Sequence, residues 1–105
     1  MSDNQPYSEQ YRIVAKEWVD ADASANLLEE SKSATLARMI SDQGDMPVNR
    51  AETNVKASKD WQDYITKMVQ ARRDAAFLKV KLEFIRMKFT EWNSETATRR
   101  AEMKL

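Results

Sequence analysis

Between Trp61 and Trp92 the chain places an apolar or aromatic side chain alternately three and four residues apart. The positions are Trp61, Tyr64, Met68, Ala71, Ala75, Leu78, Leu82, Ile85, Phe89 and Trp92, with no Gly or Pro among them. A 3.5-residue period held this long predicts a helix packed against another helix in coiled-coil fashion. It is far longer than a strand. An earlier segment keeps the same rhythm through Tyr7, Tyr11, Val14, Trp18, Ala21, Ala25 and Leu28, and Leu36, Met39 and Ile40 continue an apolar face beyond the polar Lys32.

Between the two patterns lies Asp42-Gln43-Gly44-Asp45-Met46-Pro47, which holds the only Gly and one of the two Pro. Gly44 is placed to stop a helix in the left-handed conformation, and the chain turns there. The expected layout is a single helical domain over 1–105. Residues 1–7 are frayed, and helix 8–41 is capped by Ser8. A turn at 42–47 and a short helix at 48–57 precede a long helix at 58–92, capped by Ser58 with Asp60 in its first turn. Residues 93–105 either leave the helix at Asn93-Ser94 or extend it as a charged tail. The predicted fold class is all-α: a long helical hairpin with a short helix at the bend, coiled-coil-like packing, and assembly into an oligomeric bundle or ring.

The oligomer follows from a second stripe on the long helix, formed by Phe77, Val80, Phe84 and Met87. In the heptad frame of the first seam these four fall on the opposite face. A helix apolar on two faces is buried on two faces. Leaving four such side chains in water forgoes ~6–12 kcal/mol. A hairpin covers one face only, so these four residues are assigned to an oligomer interface.

Composition narrows the chemistry. The absence of Cys and His removes thiolate chemistry, disulfides and the commonest catalytic base and metal ligand. There is no Gly-rich phosphate loop and no Ser in a nucleophile-like setting. Carboxylates occur in pairs, Glu29-Glu30 and Asp20/Asp22, but neighbours on a helix point apart. The expectation is a protein that is not an enzyme, with no catalytic residue, metal or cofactor. No apolar run reaches the ~20 residues of a membrane span. The polar Met1-Ser2-Asp3-Asn4 start does not read as a signal peptide, so a soluble, intracellular protein without membrane association is expected.

Charge is balanced overall and split along the chain. Residues 1–45 carry nine acids and four bases, and residues 46–105 carry eight acids and thirteen bases. An acidic first helix lying on a basic second one accounts for this, and basic surface left uncovered would meet a polyanion. The flanks of the long seam hold Lys67, Lys81 and Lys88 on one side and Arg72, Lys79 and Arg86 on the other, the places where coiled coils form inter-helix ion pairs. Around the bend, Arg38, Arg50, Lys56 and Lys59 outline a basic rim. Repeated around a ring, such a rim becomes a track for a polyanion by counterion release, with Trp61 and Tyr64 as stacking platforms for bases if they are not simply core.

The residues around the bend resemble the UvsY-type recombination mediator family of T-even phages. Lys32-Ser33-Ala34-Thr35-Leu36-Ala37-Arg38-Met39, closing at Gly44, looks like the family's Ala-rich helix end with an Ala-Arg-aliphatic step before a Gly turn. Val55-Lys56-Ala57-Ser58-Lys59-Asp60-Trp61 is similar to its hydrophobic–x–Ala–x–x–Asp entry into the last long helix, and the Leu82, Ile85, Phe89, Trp92 rhythm is similar too. The likeness covers roughly residues 18–92. The chain also looks like small helical proteins of phages and prophages of alphaproteobacteria.

What the resemblance implies is a ring-like homo-oligomer in the host cytoplasm. It would bind single-stranded DNA and help load a recombinase, or a single-strand annealing protein, where a single-strand-binding protein already sits. Arg38 matches one member of the family's basic pair. The other member falls on Leu36, so Lys32, Arg50 or Lys56 would supply the missing charge. Two readings from other classes fit the same pattern. One is a small phage protein that binds and inhibits, or recruits, a host protein through Phe77–Met87. The other is a virion or scaffold component.

Overall fold

The computed structural model describes residues 5–103, and every regular element among them is a helix. In order these are α1 (Tyr7–Glu30), α2 (Lys32–Ser41), α3 (Val48–Lys56) and α4 (Lys59–Met103). This is the all-α helical hairpin with a short helix at the bend. The outer parts of the expected frayed start and helical tail, residues 1–4 and 104–105, lie outside the described residues. The chain packs as two compact units. Among the described residues, one joins those up to Asp20 with those from Ala76 onward, and the other is Ala21–Ala75.

In the first unit α1 and α4 run antiparallel. Val14, Leu82 and Ile85 form the buried core, and Tyr7, Ala15, Trp18 and Leu78 pack on it. Tyr7 meets both Phe89 and Trp92 with ring centroids 6.4 Å apart, and the latter two stack at 6.3 Å. Here the seam of α4 outruns its cover. Helix α1 starts at Tyr7, so Phe89 and Trp92 remain exposed although they keep the register of the core. The start of α1 differs from the Ser8 cap expected. The Pro6 carbonyl accepts from the backbone N–H groups of Glu9 and Gln10, both at 3.0 Å. Proline fits a helix start because its fixed φ is already helical and it has no N–H to leave unpaired, so Ser8 sits inside the first turn. There Arg12 donates to Glu9 at 2.5 and 3.0 Å. This hydrogen bonding holds the Glu9 carboxyl below its ordinary value of 4.5.

In the second unit, the rest of α1 runs antiparallel to the start of α4, and α2 packs on α3. Ala25, Ala51, Val55, Trp61 and Ala75 are buried, and the Trp61 and Tyr64 rings stack 5.6 Å apart. Gly44 closes the turn after α2 at φ +82°, the conformation a side-chain-bearing residue resists. Ser58 caps α4 as expected: its Oγ accepts the Trp61 N–H at 3.2 Å while its hydroxyl donates to the Val55 carbonyl.

One boundary differs from expectation. Helix 8–41 is two helices, with the break at Ser31. Ser31 N–H still bonds the Leu27 carbonyl at 3.0 Å and Thr35 N–H the Ser31 carbonyl at 2.9 Å. The Leu28 carbonyl, which Lys32 N–H would take in an unbroken helix, accepts the Tyr64 hydroxyl at 2.5 Å. A side chain inserted into the ladder is a known cause of such breaks, and no basic residue in the last turn of α1 offsets the dipole at Glu29-Glu30. At the other end the chain takes the second of the two courses offered for it. Helix α4 runs straight through Asn93-Ser94 to Met103, where Thr96 and Thr98 hydroxyls bond carbonyls four residues back.

Candidate functional site

The exposed stripe is the feature that departs most from an ordinary folded surface. Along α4, Phe77, Val80, Phe84 and Met87 retain 69, 63, 57 and 66 % of their surface. At ~100° per residue they centre about 150° around the helix from Leu78, Leu82 and Ile85, so α1 covers one face of α4 and leaves this one open. Large apolar side chains standing in a row, rather than scattered singly, mark an interaction surface. The rim is charged: Lys81 and Lys88 border one edge, and Glu83 borders the other. The Lys88 ammonium lies 5.7 Å from the centre of the Phe84 ring, a cation–π arrangement on the edge of the stripe.

The residues expected to bind DNA all fall in the second unit, on three elements. Lys32 opens α2, and Arg38 is in its last turn, where the helix dipole favours a cation. Arg50 lies in the first turn of α3. All three are exposed, and none forms an ion pair among the described residues. Lys56 and Lys59 are each held by an acid one helical turn away, Glu52 at 2.8 Å and Asp63 at 3.2 Å. Such exposed pairs are worth about 0.3–0.5 kcal/mol, so a phosphate would displace them at little cost.

Of the two aromatic residues, Trp61 requires correction as a platform. Trp61 keeps 6 % of its surface and stacks on Tyr64. Tyr64 is half-buried and spends its hydroxyl on the Leu28 carbonyl. A ring that stacks a base must offer a free face to solvent. Trp61 has none, because it occupies the seam that α4 buries, and it belongs to the core.

Arg72 shows the charge split at work inside the second unit. Its Nη1 donates to Asp22 at 2.7 Å, its Nε to Glu29 at 2.8 Å, and its Nη2 to the Asn26 side-chain oxygen. These bonds, those to Glu29 foremost, hold the guanidinium above its ordinary range. A planar fork meeting acceptors on successive turns of α1 locks the register of α1 against α4. The seam-flank position of Arg72 signalled an inter-helix pair. Nothing in the sequence identified Asn26 or the Tyr64–Leu28 bond.

Among the described residues, no group of three or more acidic side chains is placed to hold a metal ion, and no helix is long and apolar enough to cross a membrane. No protein family, curated protein or solved structure matches the chain.

Proposed function

We propose that this chain is a non-enzymatic helical binding module. Helix α4 is its working element: α1 supports one face, and the Phe77–Val80–Phe84–Met87 face engages another helix. The observation that carries this reading is the exposure of all four side chains in one line on a helix whose opposite face is already packed. Covering them recovers a large part of the free energy that hydration of apolar surface costs.

The test combines sedimentation with oxidative footprinting. Phe77→Ser together with Phe84→Ser is expected to abolish association while leaving helix content, and the unfolding midpoint measured below the association midpoint, nearly unchanged. Protection of Phe77, Phe84 and Met87 in a particle of a single chain would remove the reading, because the stripe would then be core.

A second reading, the single-stranded-DNA-binding recombination mediator, is supported by Lys32, Arg38 and Arg50 standing exposed without ion pairs among the described residues. In it the module assembles through α4 and holds DNA at the bend beside a recombinase. It expects oligonucleotide binding whose logarithm falls with that of salt concentration. Arg38→Glu with Arg50→Glu should flatten that slope by about 0.7 per lost phosphate contact. Equal binding by wild type and double variant would eliminate the track.

A further inference from the structure

The stripe is bounded in the heptad by two charges. Four residues before Phe77 stands Arg73, and four after Met87 stands Glu91. Along the unbroken α4 the positions Arg73, Phe77, Val80, Phe84, Met87 and Glu91 are therefore spaced 4, 3, 4, 3 and 4. That spacing reads the same in both directions, and the chemistry is complementary when one copy is reversed. An isologous two-fold interface demands this: residue i meets j, and j meets i.

We infer that the occupant of the stripe is a second copy of this chain, its α4 antiparallel to the first and the two-fold axis crossing the interface at the level of residue 82. The inference rests on the reading of the stripe as a binding face. In this arrangement Phe77 meets Met87 of the second copy, and Val80 meets Phe84 of the second copy. Each large ring is thus opposed by a slimmer or more adaptable side chain, and the methionine sulfur lies against an aromatic. Arg73 meets Glu91 of the second copy at both ends, closing the apolar layer with opposite charges. Neither charge is strongly engaged in the single chain. Arg73 forms no ion pair among the described residues, and Glu91 reaches Lys88 only at 3.9 Å.

The parallel alternative is worse on the same positions. It sets Arg73 on Arg73, Glu91 on Glu91 and Phe84 on Phe84, with only Glu83 and Lys88 on the rim to compensate. In the antiparallel arrangement the like-charge meetings, Lys81 with Lys81 and Glu83 with Glu83, fall on the rim beside the axis, where water and salt screen them. Helix α1 is no obstacle, since it lies on the far side of α4.

The chain has no Cys, so single cysteines report on the interface without background. Val80→Cys mixed with Phe84→Cys is expected to give a disulfide-linked dimer under mild oxidation, and either variant alone little. Arg73→Glu or Glu91→Arg alone is expected to weaken dimerisation about tenfold or more, since each reverses two pairs. The double variant is expected to restore it. All four positions are exposed, and circular dichroism confirms that the variants fold. Self-linking of Val80→Cys alone, or failure of the double charge swap to restore association, overturns the antiparallel pairing. A monomer at high concentration overturns the second copy as occupant. If its Phe77 and Met87 are then open to oxidation, the binding-face reading survives; if they are protected, both fall.

Discussion

The Tyr64 hydroxyl donates to the main-chain carbonyl of Leu28, 36 residues away, at the point where α1 gives way to α2. One hydrogen bond thus ties the first turns of α4 to the break between α1 and α2. Tyr64→Phe removes the donor and frees that carbonyl for Lys32 N–H. The expected loss is about 0.5–1.5 kcal/mol in urea unfolding. The Lys32 amide should gain protection from hydrogen exchange as α1 and α2 fuse. An amide that stays as exposed as in wild type would show that the tyrosine does not make the break.

The Arg72 fork is half-buried and charge-assisted, with its carboxylate partners open to solvent, so its contribution should be salt-sensitive. Arg72→Met is expected to lower the melting temperature at low ionic strength. The difference from wild type should shrink toward zero by 1 M NaCl, where the screening length is about 3 Å. A deficit that persists at high salt would assign the role of Arg72 to packing of its stem instead.

Ile85 and Phe84 are neighbours in sequence on different faces of α4, one buried and one exposed. Ile85→Ala should cost about 2–5 kcal/mol, the range for emptying a packed site. Phe84→Ser should change the stability of the single chain by no more than about 0.5 kcal/mol while weakening association. Chemical denaturation at concentrations above and below the association midpoint separates the two.

Trp61 should report its burial. In a variant with Trp18→Phe and Trp92→Phe, its emission is expected to be blue-shifted, and single-stranded oligonucleotide should leave it unquenched at any saturation. Strong quenching would return Trp61 to the solvent side and revive it as a stacking platform.

Gly44 sits at φ +82° with nothing within 4 Å of the place a Cβ would take. The cost of Gly44→Ala is then purely conformational, about 1–2 kcal/mol. Gly44→Asn should cost less, because Asn tolerates the left-handed region. Equal unfolding midpoints for wild type and alanine variant would show that the turn relaxes out of this conformation.

Much of this molecule was legible in the order of its residues. The 3.5-residue period fixed the long helix, and its ten-position seam contains the side chains that α4 buries: Trp61, Ala75, Leu82 and Ile85. Gly44 announced the turn and Ser58 the cap, because each satisfies a local backbone requirement that no distant residue can alter. The second stripe was legible too. Phe77, Val80, Phe84 and Met87 share one side of a regular helix, and periodicity alone puts them away from the seam.

Only the tertiary structure decided what depends on where one helix ends against another. Phe89 and Trp92 carry the same pattern as Leu82, yet they stay exposed because α1 begins at Tyr7 and covers no further. The break at Ser31 depends on a hydroxyl arriving from 36 residues away, which no local propensity contains. Trp61 could be core or platform until burial chose core. Period and local geometry are properties of neighbours along the chain. Coverage and hydrogen-bond partnership are properties of neighbours in space, and these decided which faces of this protein remain open to bind.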